Sequence, residues 1–190
     1  HLIVALLMLL AAAMRAGWNL FVKGTGDRLS AIAAVMTGGA ILSAFALPFV
    51  DPPARESWIF IFLSIVIHLG YYAGLVGAYR HGDLSHAYPI ARGTAPLLVA
   101  IAAAPAAGEW LSPLQCLGVA AISLGIVSLA FERGMPKGDH GRSVLYALAT
   151  AVFIMGYSVT DGLGVRRSGN ALGYILWLFA LEAIPLLLIT

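Results

Sequence analysis

Long apolar runs alternate with short polar connections along the whole chain. Seven runs approach the roughly 20 residues that a helix needs to cross about 30 Å of hydrocarbon. They cover approximately 2–22, 30–50, 57–79, 84–106, 111–131, 143–163 and 171–190. The connections between them hold most of the charges: "KGTGDR", "DPPARE", "RHGD", "GEWLSP", "ERGMPKGDHGR" and "GVRRSGN". Runs this long and this uniformly apolar predict helices and argue against the alternating strands of a membrane barrel. The pattern therefore predicts an all-α polytopic membrane protein with about seven transmembrane helices present. In the third run, "GYYAGLVG" spaces Gly70, Gly74 and Gly77 at helical intervals. That spacing makes a small-residue stripe on which another helix can pack closely.

Composition strengthens the membrane reading. The chain of 190 residues is 61% apolar and only 11% charged. Soluble domains carry about 25% charged residues. Mean hydropathy is +0.91. The net charge of +2 is scattered, with no basic stripe, which excludes a nucleic-acid partner as an expectation. The single Cys116 excludes a disulfide framework and lies in an apolar run, where a small packing residue is the simplest role. His1 opens directly on an apolar run, without a charged segment or a cleavage pattern, so no signal peptide is expected. Both ends read as cut from a longer chain, the C-terminal end more severely. Connections after runs one, three and five carry Lys23, Arg28, Arg80, Arg133, Lys137 and Arg142, against Arg55, Arg166 and Arg167 on the other side. Positive charge would place the first set in the cytoplasm, by a small margin.

The longest connection, 133–142, is the expected boundary between a first unit at 1–132 and a second at 143–190. After it the pattern begins again: "RAGWNLFVKG" and "IMGYSVTDGL" align Gly17 with Gly156, Trp18 with Tyr157 and Asn19 with Ser158. A first unit of five helices inserts the second upside down. Inverted repeats of that kind are characteristic of secondary transporters, with the solute site between the halves.

Ionisable side chains within apolar runs are costly, so each is a candidate for function. Arg15 shares a helix face with Trp18 and Asn19. It either lines a pathway, or snorkels, or pairs with Glu182 or Asp161. His68 and Tyr72 share a face in run three, too deep for an interfacial belt, and are expected at a cavity. Tyr79 fits the belt. Tyr157 and Asp161 are one turn apart in run six, with Asp161 near the end of the run, where it is either simply wet or a proton-coupling candidate. Glu182 lies deep in run seven, where a charged carboxylate is costly. That position suits proton coupling, or equally pairing with an arginine. Glu109, at the start of run five, reads as a helix-terminus carboxylate. Metal-binding, nucleotide-binding and hydrolase motifs are missing from the sequence, so no cofactor and no metal are expected.

Three segments resemble the EamA family of the drug/metabolite transporter superfamily: "AGWNLFVK", "YRHGDLSHAYPIARGTAPLL" and "GEWLSPLQCLGVAAISLGIVSLA". The resemblance runs over essentially the whole chain. Its most specific part is the ordered set Gly82-Asp83-Leu84-Ser85, Tyr88-Pro89, Arg92, Pro96, Gly108-Glu109 and Gly118. It implies ten helices in two inverted five-helix repeats. It also implies transport of small metabolites across the bacterial inner (cytoplasmic) membrane, and a central cavity with Trp18, Asn19, Tyr72, Tyr88, Arg92 and Tyr157 as residues to test. Arg15 and His68 are additions to the family pattern and point to anionic or polar solutes.

The expected function is secondary transport of a small metabolite, anionic or amino-acid-like, by alternating access. Arg92 and Arg15 would attract the anionic group, and Trp18, Asn19, His68, Tyr72, Tyr88 and Tyr157 would complete the solute site. Glu182 and Asp161 are the proton-coupling candidates. The expected partners are the solute and the bilayer, with homodimerisation left open. The alternatives are a membrane-embedded enzyme acting on a lipid, which lacks a convincing catalytic cluster, or a non-transporting structural subunit.

Overall fold

The computed structural model describes residues 2–24, 28–81, 84–108, 110–129 and 140–189. They form α1 (Leu2–Gly24), α2 (Arg28–Ala46), α3 (Trp58–His81), α4 (Leu84–Ala107), α5 (Pro113–Ser128), α6 (His140–Arg167) and α7 (Ala171–Ile189), with short 3₁₀ turns at Leu47–Phe49 and Arg55–Ser57. Among the described residues there is no strand, as the length of the apolar runs predicts. Three stretches among them are long and apolar enough to cross a membrane: Arg55–Ala78, His86–Ala107 and Gly141–Arg167. Four shorter apolar stretches, Ala5–Met14, Thr37–Phe49, Pro113–Ser128 and Ala171–Pro185, accompany them. Glu109 and most of the expected 133–142 boundary lie outside the described residues.

Several element ends differ from the sequence expectation, each for a local reason. The run at 30–50 leaves the α-helix at Ala46, where Pro48 tightens the chain into a 3₁₀ turn. Helix α5 starts later than residue 111 because Ser112 caps it. The Gln115 amide donates to Ser112 Oγ, and the Ser112 amide donates back to Gln115 Oε1 at 2.8 Å. Helix α4 keeps Pro89, Pro96 and Pro105 in its interior and closes on Gly108 at φ +68. Helix α6 continues past the expected end at 163 to Arg167, because nothing breaks it before Ser168 and Gly169, the latter at φ +64. Arg166 and Arg167, expected in a connection, instead occupy its last turn, where cations suit the helix terminus.

Helix α6 is the centre of the packing. It lies antiparallel to α3 and parallel to α4 on another side, while α7 packs against α2 and α3 and α5 packs against α4. The glycine stripe read from the sequence makes the α3–α6 contact: Gly70 meets the Phe153 ring, Gly74 meets Thr150 and Gly77 meets the Tyr146 ring. Ser143 Oγ donates to the Ala78 carbonyl at 3.2 Å and closes one end of this seam. At the other end the Ala54 amide donates to the Ser168 carbonyl at 2.9 Å, and Asn170 Nδ2 donates to the Asp51 carbonyl at 2.7 Å. The "DPPARE" connection is thereby pinned to the α6–α7 turn. The buried core is built largely from small residues, Ala78, Ala87, Ala91, Ala95, Ala147 and Ala151, which allow close helix approach. Large apolar side chains such as Leu6, Leu10, Phe45, Phe62, Leu117 and Phe179 point outward instead. An exposed apolar surface on this scale marks contact with a membrane or with other protein.

Candidate functional site

Two polar features meet inside this helical array. The first is built on α3. Its turn spacing puts Ser64, His68 and Tyr72 on one face, directed at α6 and α7. His68 Nδ1 lies 2.9 Å from the Ser64 carbonyl, which can only accept, so Nδ1 carries the proton. His68 Nε2 is 3.9 Å from Glu182 Oε1 on α7. Glu182 is only 4% exposed, and the Tyr72 hydroxyl donates to the same Oε1 at 3.0 Å. On α6, Tyr157 stacks on the His68 ring with centroids 4.0 Å apart, and Tyr71 meets Tyr157 edge-on at 5.9 Å. Asp161, one turn beyond Tyr157, accepts from the Tyr174 hydroxyl at 3.0 Å and from the Ser64 hydroxyl.

The second feature is a cleft of about 440 Å³ between α4, α5 and α6. Binding pockets for small molecules run from roughly 300 to 1,000 Å³. Its walls are mainly apolar: Ala95, Pro96, Val99, Ala100 and Ala103 from α4, Leu111 before α5, Val119 from α5 and Ile154 from α6. Arg92 is the charged residue in this lining, and Ser158 supplies a hydroxyl. Arg92 Cζ lies 5.6 Å from the Tyr88 ring centroid, within cation–π range. Pro96, one turn on, has no amide to give to the Arg92 carbonyl, so that carbonyl lacks its helical hydrogen bond. Helix α4 thus brings a guanidinium and a backbone acceptor to the same place. Tyr157 packs against the cluster of Ala95 and Ile154 in the cleft wall and stacks on His68, which makes this ring the bridge between the two features.

The structure brings together seven of the residues singled out from the sequence: His68, Tyr72, Tyr88, Arg92, Tyr157, Asp161 and Glu182. Arg15, Trp18 and Asn19 are on α1, but their side chains lie outside the described residues, as does that of Tyr79. One alternative falls away: Asp161 is a half-buried, hydrogen-bonded carboxylate and not a wet helix end, because α6 runs on to Arg167 beyond it. Among the described residues Glu182 accepts from Tyr72 and faces His68; the side chain of Arg15, its other expected partner, lies outside them. Arg92 has no carboxylate partner among the described residues; its guanidinium lies over the Tyr88 ring. Sequence reasoning missed Ser64, Tyr71 and Tyr174. Ser64 precedes His68 by one turn and Tyr71 adjoins Tyr72, so helical spacing could have found both. Tyr174 reaches Asp161 only through the α6–α7 turn and leaves no local signal. Comparison with protein-family models, with curated proteins and with solved structures returns no match for this chain.

Proposed function

We propose that this chain belongs to a multi-pass membrane protein of the cytoplasmic membrane. The proposed role is secondary transport of a small anionic or amino-acid-like metabolite by alternating access, on two inverted repeats. The observation that carries this reading is the cleft: apolar walls with the Arg92 guanidinium and, on the same turn, a carbonyl that Pro96 leaves without its helical amide partner. A guanidinium binds a carboxylate or phosphate through paired hydrogen bonds. Such a carbonyl can accept from an ammonium or hydroxyl of the same solute. In lipid, non-helical bonding of this kind is tolerated where the backbone lines a cavity. The outward apolar side chains and the EamA-like motifs support the same conclusion.

The full-length protein, purified in detergent, should be melted with amino acids, other small carboxylates, phosphonates, nucleosides and neutral sugars. A solute that binds the folded state raises the melting midpoint. Anionic or zwitterionic solutes should raise it, and Arg92→Gln should abolish the rise. Charged hydrogen bonds are worth about 1.5–3 kcal/mol, so the variant should weaken binding by roughly ten- to a hundred-fold. Stabilisation by neutral sugars alone, unaffected by Arg92→Gln, would exclude this site assignment.

A further inference from the structure

His68 Nε2 and Glu182 Oε1 face each other 3.9 Å apart, too far for a hydrogen bond. The Ser64 carbonyl fixes the proton of a neutral His68 on Nδ1, which leaves Nε2 as an acceptor. A carboxylate is also only an acceptor. An acceptor on a partly buried imidazole therefore faces an acceptor on a buried carboxylate. The Tyr72 hydroxyl donates to the same Oε1 at 3.0 Å. Other described neighbours of the imidazole are Tyr157 and Asp161 from α6, and on α3 the Tyr71 and Tyr72 rings and the Ser64 hydroxyl, 3.3 Å from Nδ1. Asp161 differs from Glu182, since Tyr174 and Ser64 both donate to it.

We infer that the gap between His68 Nε2 and Glu182 Oε1 is a binding site for one proton, set one aromatic ring away from the Arg92 cleft. A single proton entering the gap turns two opposed acceptors into a donor and an acceptor, and lets the pair close to hydrogen-bonding distance. An anion in the Arg92 cleft adds negative charge across the Tyr157 ring, so anion and proton favour each other's binding. The transporter then moves a proton with its solute. The coupling part of this inference rests on the transport reading; the proton site does not.

Infrared difference spectra of the full-length protein in lipid nanodiscs, taken between about pH 5 and about pH 8, where imidazole titrates, read which groups take up protons. The site predicts an imidazole or carboxyl band that disappears in both His68→Asn and Glu182→Gln. Glu182→Gln keeps an oxygen for Tyr72 to donate to, so it separates loss of the proton site from loss of folding. Asp161→Asn should retain the band. Arg92→Gln should also retain it, so failure of the solute site and failure of the proton site give different results. A spectrum unchanged by Glu182→Gln, or a band lost only in Asp161→Asn, would overturn the assignment.

Discussion

Replacing Gly93 by alanine tests the α4–α5 contact that shapes one wall of the cleft. A Cβ at Gly93 would fall 2.7 Å from Val127 Cγ2, 3.0 Å from the Ser123 carbonyl oxygen and 3.0 Å from the Val127 amide nitrogen. Two of those three atoms are α5 backbone, so a rotamer change cannot relieve the crowding and α5 must move outward. Overpacking of this kind costs roughly 1–3 kcal/mol. Alanine returns about 0.5–1 kcal/mol over glycine in a helix interior. With backbone atoms in the way the cost belongs in the upper part of its range, and the net loss is about 1–2 kcal/mol. In a chain of this size that lowers the melting midpoint by about 2–8 °C. Gly118, on the same α5, has nothing within 4 Å of its added Cβ. There the same substitution should be neutral or stabilising. The assay is the thermal midpoint of the full-length protein in detergent, read by static light scattering or tyrosine and tryptophan fluorescence. If Gly93→Ala raised the midpoint as much as Gly118→Ala, the close α4–α5 approach would be wrong, and the cleft wall with it.

Four further outcomes are expected from the same preparation. Tyr72→Phe removes the donor to the buried Glu182 carboxylate and should destabilise by about 1–3 kcal/mol. Glu182→Gln, which keeps an acceptor there, should cost less; chemical denaturation of both compares them. Ser123 is fully buried, and its Oγ finds no hydrogen-bond partner among the described residues. Ser123→Ala should therefore be neutral or gain up to about 1 kcal/mol in the same denaturation series. Ser112→Ala deletes the α5 capping box and should cost about 0.5–2 kcal/mol, read as a lowered midpoint that Ser112→Asp restores.

The sequence carried the helices and much of the site's chemistry, because both depend on local spacing. The glycine stripe at Gly70, Gly74 and Gly77 needs only the helical repeat to be seen, and the structure uses it for the α3–α6 seam. The pairs His68 with Tyr72, Tyr88 with Arg92 and Tyr157 with Asp161 are visible for the same reason. What the sequence could not show is which helices meet. The placement of α6 between α3 and α4 is a long-range choice made by alanine and glycine surfaces that look alike in sequence. It is this choice that stacks Tyr157 on His68, while the packing of α7 on α3 sets Glu182 opposite the same ring. The surroundings of Asp161 turn on a boundary: four more residues of α6 make a helix end into a helix interior.

Solute exchange by the full-length protein in sealed proteoliposomes tests the transport reading most directly. Vesicles loaded with an unlabelled small carboxylate or amino acid that stabilises the protein should accumulate the labelled compound from outside by exchange. Arg92→Gln should reduce that accumulation at least ten-fold, while Gly118→Ala, on the far side of α5, leaves it intact. Exchange that is absent in the wild type, or that proceeds equally in Arg92→Gln, would contradict the account.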